Sequence, residues 1–198
     1  MIKAAEKYLG VDVLGKHRLV NYYNANCLPL VDAKRKYRMT YNDNWCAMFT
    51  SVVAQQSGLG PDVFPYEVSV MQQLKWAQDN ARFTKRVSDV APGDLILYNW
   101  KRNGNCDHVG IVVSKGNEDA RLKWEQVARQ VGETDFRRDP RTGEYLDPGV
   151  AMDWRIHAKA KGHDYISVIE GNKSDTVGYR YVSLPNTQVW GFIKVGPM

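Results

Sequence analysis

A single cysteine stands where a helix is expected to begin. Cys46 lies in "YNDNWCAMFTSVVAQQSG", residues 41–58, between a polar run and an apolar segment of helical character. A cysteine in the first turn of a helix lies near the positive end of the helix dipole, which favours thiolate over thiol. The N–H of Cys46 itself is a donor to a developing oxyanion. Cys46 is therefore a candidate nucleophile, with a buried structural thiol as the alternative.

Amide hydrolysis also needs a group that protonates the leaving amine, and histidine is the usual partner of a thiolate. The chain has four histidines: His17, His108, His157 and His163. Only His108 begins an apolar run, "HVGIVV", directly after the polar loop "KRNGNCD". We take His108 as the candidate base, although a single histidine at a strand end is more often a hydrogen-bonded surface residue.

An acceptor that orients the imidazole would complete the set. In "ISVIEGN" the carboxylate of Glu170 closes an apolar run, and Asn172 follows two residues later. The simpler alternative is that Glu170 ends a strand and "GN" forms a turn. The combination of a cysteine at a helix start with a histidine and a carboxylate at strand ends favours the catalytic interpretation.

The elements that must position these residues are predicted to be helices in the first part of the chain and strands in the later part. Apolar spacing predicts helices over residues 2–9, 16–26, 45–56 and 67–80. Gly10 and Gly15 are expected to separate the first two, Asp43 or Asn44 to cap the third, and Gly58 to end it. After Pro92-Gly93, β-branched runs predict strands over residues 94–100, 108–114, 164–170, 177–183 and 189–195. Helices followed by strands indicate an α+β fold with an antiparallel sheet of about five to six strands.

Length and composition fit one soluble globular domain. The 198 residues suffice for a single core, so we expect one domain over residues 1–198, interrupted by a long polar insertion at about 115–164. The apolar runs are too short to cross a bilayer. Lys3, Glu6 and Lys7 break the apolar stretch that a secretory signal would need, so no signal peptide is expected.

The formal charge is +5, and four basic residues cluster at Lys34, Arg35, Lys36 and Arg38. Such a face suits polyanions, whether nucleic acid or an anionic cell wall, but a solvated basic surface is the simpler interpretation. The three cysteines are too few and too scattered for a disulfide framework. Cys106 and His108 have no further ligand at metal-site spacing, so no metal site is expected.

The motifs "NWCAMF", "APGDLILY", "DHVGIVV" and "VIEGN" resemble, in this order, the CHAP domain, the cysteine- and histidine-dependent amidohydrolase/peptidase of bacterial and phage cell-wall hydrolases. The resemblance covers roughly residues 1–114 and 164–198 and implies a papain-like fold. It implies Cys46 as nucleophile, His108 as base and then acid, Glu170 as the residue that orients His108, and Asn172 as an assisting residue.

The resemblance implies a peptidoglycan hydrolase that cleaves an amide of the stem peptide or cross-bridge through a thioacyl enzyme, without a cofactor. Peptidoglycan is the expected partner, with neither nucleic acid nor membrane insertion, and another phage chain is a candidate for wall targeting. Trp45 and Trp100, near the predicted catalytic segments, are the candidates for a glycan groove, with core or rim packing as the alternative.

This sequence departs from the family in two places. The loop "KRKYRMTYNDN" offers a single carboxylate, Asp43, where some members carry an acidic calcium loop, so no calcium is expected. The insertion at 115–164 is far longer than the short hairpin expected there; it either walls the substrate groove or elaborates the solvent side.

The site of action is expected to be the bacterial cell wall. Without a signal peptide, the chain would be a phage endolysin released through a membrane pore, or a lysin carried in a virion or injection apparatus. Two alternatives stay open: a catalytically silent wall-binding or structural phage module, and an amidase toxin delivered between bacteria.

Overall fold

The helices predicted for the first half of the chain are present, with different bounds. The computed structural model describes residues 1–115, 137–138, 145–146, 164–173, 175–184 and 186–196. Within these residues the α-helices are α1 (Ile2–Glu6), α2 (Val13–Tyr22), α3 (Cys46–Gln56) and α4 (Val70–Asp79). A π-helical turn follows α2 at Tyr23–Cys27, and short 3-10 turns lie at Leu28–Leu30 and Val87–Asp89.

Side-chain caps explain where two helices begin. Asp12 caps α2, and its Oδ1 accepts the N–H of Gly15 at 3.0 Å. Gly15 therefore lies in the first turn of α2, and the expectation that it breaks the helix was wrong. Ser69 caps α4, with its hydroxyl accepting the N–H of Gln72, so this helix begins at Val70 rather than at residue 67.

The strands form a six-stranded antiparallel sheet in the order β1-β8-β2-β3-β6-β7. Their bounds are β1 (Phe83–Thr84), β2 (Leu95–Tyr98), β3 (His108–Lys115), β6 (Asp164–Lys173), β7 (Thr176–Leu184) and β8 (Val189–Ile193). The five predicted strands are thus confirmed, and among the strands of this sheet the two-residue β1 was missed. The α+β class with an antiparallel sheet is confirmed as well.

The predicted insertion falls mostly outside the described residues. Within it, β4 (Arg137–Arg138) and β5 (Tyr145–Leu146) pair antiparallel as a separate two-stranded sheet. Whether residues 115–164 wall a groove stays a prediction. None of the described helices has the length and apolar character needed to span a membrane.

The central element of the core is α3, which packs on β3 and β6. Every residue from Cys46 to Ala54 is buried, as expected for a helix enclosed on all sides. Gly58 has φ +74°, which confirms it as the residue that ends this helical segment. On the other sheet face a second apolar cluster includes Tyr98, Val112, Val168 and Phe192. This packing fixes the start of α3 against the strands that carry His108 and Glu170.

Candidate active site

Cys46 is the first residue of α3 and is almost completely buried. Trp45 is the N-cap and no side chain caps the helix, so the expectation of an Asp43 or Asn44 cap was wrong. The first backbone hydrogen bond of the helix runs from the N–H of Phe49 to the carbonyl of Trp45 at 2.8 Å. The N–H of Cys46 therefore belongs to the turn whose donors have no acceptor within the helix.

His108 is the first residue of β3, where it pairs with Tyr98 of β2. Its ring stacks on the Tyr98 ring, with centroids 5.6 Å apart and an interplanar angle of 29°. The imidazole is largely buried, and its Nε2 lies 3.1 Å from Oε2 of Glu170. The two groups are thus in close ion-pair contact.

Glu170 on β6 is completely buried, and two cationic groups face its carboxylate. One is His108, and the other is Arg180 of β7, whose Nε donates to Oε1 at 2.9 Å and to Oε2 at 2.8 Å. Burial alone would raise the pKa of Glu170, but His108 and Arg180 outweigh it and hold that pKa well below its usual value. The carboxylate is therefore ionised in its buried position.

The His108 imidazole meets Cys46 as well as Glu170. Burial disfavours the imidazolium, but its interactions with the Cys46 sulfur and the Glu170 carboxylate prevail and raise the pKa of His108 well above its ordinary value. Since Nε2 faces Glu170, Nδ1 is the ring nitrogen left for Cys46. The three side chains predicted from the sequence are thus brought together in the order cysteine, histidine, glutamate.

Two glycines make room for this arrangement. A Cβ on Gly110, two residues after His108, would lie 2.9 Å from Cγ of Glu170 and would also collide with Val168. A Cβ on Gly171 would lie 2.5 Å from Cβ of Phe49, so this glycine lets β6 approach α3 closely. Close packing thus explains why a glycine follows His108 in "HVG" and Glu170 in "EGN".

Asn172 lies where the pairing of β6 with β7 shifts register, between Glu170 and Lys173. Its φ is +59°, a left-handed conformation that asparagine tolerates better than most residues. Its Nδ2 donates to Oδ1 of Asn44 at 3.3 Å, in the segment that leads into α3. The bulge therefore turns Asn172 towards the start of the nucleophile helix.

Residues 36–126 match the family model of the CHAP domain. The chain contains a CHAP domain. The matched region covers just under half of the chain; it includes Cys46 and His108 and ends before Glu170. No curated protein and no solved structure matches the chain. A CHAP domain implies amidase or peptidase activity of the peptidoglycan-hydrolase kind, acting on the cell wall.

The two tryptophans expected to line a glycan groove differ in their surroundings. Trp45 is completely buried and packs edge-on against Phe49, with ring centroids 6.4 Å apart. It is therefore a core residue, contrary to the expectation. Trp100 is partly buried; it stacks on Tyr98 at 4.4 Å, and the Arg180 guanidinium lies 5.0 Å from its ring centroid. Its ring contacts Tyr98, His108 and Arg180, the residues around Glu170, and its place in a glycan groove stays a prediction.

In the loop before the nucleophile, the one carboxylate, that of Asp43, accepts hydrogen bonds from residues of the same loop. Asp43 accepts the N–H of Thr40 at 2.7 Å, the Thr40 hydroxyl at 2.9 Å and the Tyr37 hydroxyl at 3.2 Å. The buried ammonium of Lys16 donates to the carbonyl of Asp43 at 2.6 Å. Within the described residues, no group of three or more histidine, cysteine, aspartate or glutamate side chains is placed to hold a metal.

Sequence reasoning missed two members of the site, Tyr98 and Arg180. Tyr98 ends the fully buried strand β2, and Arg180 lies within β7; neither position gives an indication of a catalytic neighbourhood in the sequence. Tyr98 is completely buried, and burial together with the Glu170 charge keeps its pKa well above the ordinary value, so its hydroxyl is neutral. Only the strand pairing brings these residues to His108 and Glu170.

Proposed function

We propose that this chain is a peptidoglycan hydrolase, a cysteine-dependent amidase or endopeptidase in which Cys46, His108 and Glu170 form the catalytic unit. The observation that carries the proposal is the close contact of His108 with buried, ionised Glu170 on one side and with Cys46 on the other. This arrangement supports an active enzyme over a catalytically silent wall-binding module, which has no need of the imidazole between the other two groups.

In the proposed reaction, the Cys46 thiolate attacks an amide carbonyl carbon and the negative charge moves to the carbonyl oxygen. In this reaction the N–H of Cys46, which lies in the donor-rich first turn of α3, donates to that oxyanion. The C–N bond then breaks, and the His108 imidazolium gives its proton to the leaving nitrogen. A thioester on Cys46 and a free amine result.

Water completes the cycle. His108, now neutral, takes a proton from water as the water oxygen attacks the thioester carbonyl. The C–S bond breaks, the carboxylic acid leaves, and Cys46 returns to the thiolate beside protonated His108. Glu170 stays ionised throughout and holds the imidazole in one orientation, while Asn172 assists from the bulge at the end of β6.

The substrate bond in this proposal is either the lactoyl–alanine amide of an N-acetylmuramoyl-L-alanine amidase or a peptide bond of the stem or cross-bridge. The setting that we propose, a phage endolysin or a tail-associated lysin, rests on the family resemblance. Mass spectrometry of digested peptidoglycan identifies the bond, because each cleavage leaves a different new amine and carboxylate.

The test is to compare Cys46→Ala with Cys27→Ala for amine release from purified peptidoglycan. Both cysteines are buried, but Cys27 contacts the carbonyl of Ser51 and lies in the turn after α2. Cys46→Ala should release no amine above background while remaining folded, and Cys27→Ala should keep the parent rate. Full amine release by folded Cys46→Ala protein would refute the proposal.

A further inference from the structure

Arg180 connects the buried carboxylate of Glu170 to the protein surface. Its Nε donates to both carboxylate oxygens, at 2.9 Å and 2.8 Å. The Arg180 side chain is 30% exposed, whereas that of Glu170 is completely buried. Arg180 and Glu170 therefore form a charge pair in which one partner has lost all its water and depends on the other for hydrogen bonds.

Aromatic residues hold the other side of Arg180. Its guanidinium carbon lies 5.0 Å from the ring centroid of Trp100, within the range of a cation–π contact. The Trp100 ring stacks on Tyr98, and the N–H groups of Trp100 and Lys101 donate to the Asp107 carboxylate at 2.9 Å and 3.1 Å. The guanidinium is thus fixed between an anchored indole face and the Glu170 carboxylate.

We infer that Arg180 is a positioning residue for the reaction: it holds the Glu170 carboxylate in the orientation that His108 requires, and Trp100 holds Arg180 in place. This inference rests on the proposed function, because it assigns Arg180 a role in the same catalytic unit. The physical reason is that a buried carboxylate with one cationic neighbour has a strong tendency to rotate or to take up a proton. Arg180, which donates to both oxygens, opposes both the rotation and the protonation of the Glu170 carboxylate.

Removing the Arg180 charge should change the protonation of the whole unit. The titratable and charged groups that face Glu170 from the described elements are His108 on β3, Tyr98 on β2 and Arg180 on β7, with Cys46 on α3 beyond His108. Tyr98 is neutral, so Arg180 is the cation that faces Glu170 together with His108. Without it, every proton in the unit is held more tightly, and both limbs of the pH–rate profile should move to higher pH.

The experiment measures kcat and KM for a soluble muropeptide across pH for the parent chain, Arg180→Gln, Arg180→Lys and Arg35→Gln. Arg35 supplies the matched control, because its Nε lies 3.1 Å from Oε1 of buried Glu67 and its side chain is 32% exposed. Arg180→Gln should lower kcat on the order of 10- to 100-fold with little change in KM. Both limbs should move up by about one pH unit.

The lysine variant separates charge from geometry. Arg180→Lys keeps the positive charge, so both limbs should stay in place, while the loss of the planar donor should lower kcat severalfold. Arg35→Gln should keep the parent kcat and both limbs. If folded Arg180→Gln keeps the kcat and limbs of the parent, the inference is overturned. Should that variant not fold, the lysine variant decides, since a kcat equal to that of the parent overturns the orienting role.

A second readout does not depend on turnover. The imidazole of His108, followed by NMR, should titrate at higher pH in Arg180→Gln than in the parent chain and should be unchanged in Arg35→Gln. An unmoved His108 titration in Arg180→Gln would overturn the inference even if peptidoglycan is hydrolysed. A moved titration in a protein that releases no amine from any wall would uphold it while the proposed function fails.

Discussion

Two buried glutamates of this protein, Glu170 and Glu67, have similar exposure but different electrostatic surroundings. Glu170 is 0% exposed and Glu67 is 3% exposed. Each is paired with an arginine whose side chain is about one-third exposed, Arg180 at 30% and Arg35 at 32%. Burial and a nearby arginine therefore do not distinguish the candidate catalytic carboxylate from the other one.

The difference lies in how many donors reach each carboxylate. Both oxygens of Glu170 accept from Arg180, and His108 adds a second cationic contact, so its pKa is lowered. Glu67 has a contact with Arg35 at one oxygen; burial outweighs it, Asp32 adds a like charge, and the pKa of Glu67 is raised. A buried carboxylate can therefore anchor an imidazolium only where its other lone pairs are satisfied.

The largest expected effect separates the two glutamates by activity. Glu170→Gln keeps the shape but removes the charge beside His108, so amine release should fall about 10²- to 10⁴-fold. Glu67→Gln is the matched change in the other pair and should leave the rate per folded molecule at the parent value. Equal losses in the two variants would show that both act only through stability.

A smaller effect should follow from crowding Glu170 without changing its charge. Gly110→Ala places a methyl group 2.9 Å from Cγ of Glu170, which should displace the carboxylate, lower kcat roughly tenfold and cost about 1–3 kcal/mol of stability. Gly178→Ala is the control, because Gly178 pairs with Glu170 across the sheet and its nearest neighbour would lie at an ordinary 3.5 Å. A fully active Gly110→Ala variant would contradict the tight placement of Glu170.

The smallest expected effect is on the pH dependence of stability. The folded state lowers the pKa of Glu170, so its contribution is present above the ordinary pKa of about 4.3 and is lost as pH falls below it. The folded state raises the pKa of Glu67, so the effect of this residue has the opposite sign: its contribution to stability falls as pH rises above about 4.3.

Urea unfolding from pH 3 to pH 7 measures this difference in sign. The parent should lose stability on acidification. Glu170→Gln should reduce that loss by about 1–3 kcal/mol, whereas Glu67→Gln should increase the loss of stability on acidification. Parallel curves of unfolding free energy against pH for the two variants would contradict the assigned directions.

The elements that carry the candidate catalytic unit could be predicted because two of its members begin their elements and the third ends an apolar run. Cys46 opens an apolar helix, His108 opens an apolar strand and Glu170 closes the apolar run of another, and such positions leave a pattern in the sequence. The helix cap could not be predicted in the same way, because Asp43 is engaged by Thr40 and Tyr37 in its own loop.

The surroundings of the unit required the three-dimensional structure. Arg180 lies within "GYRYVSL", and only the pairing of Val168 with Arg180 across β6 and β7 brings it beside Glu170. Trp45 is adjacent to the nucleophile in sequence, yet its ring turns into the core. Strand register and side-chain direction decide both cases, and neither can be read from spacing along the chain.

Alkylation of the three cysteines separates the proposed nucleophile, Cys46, from the two other thiols. All three thiols are buried, but burial raises the pKa values of Cys27 and Cys106 to about 12, whereas Cys46 faces the His108 imidazole. Near neutral pH, iodoacetamide should modify Cys46 before the other two, and amine release from peptidoglycan should fall in proportion to that modification, as measured by peptide mapping. A protein fully alkylated at Cys46 that still hydrolyses peptidoglycan at the parent rate would show that Cys46 is not the nucleophile.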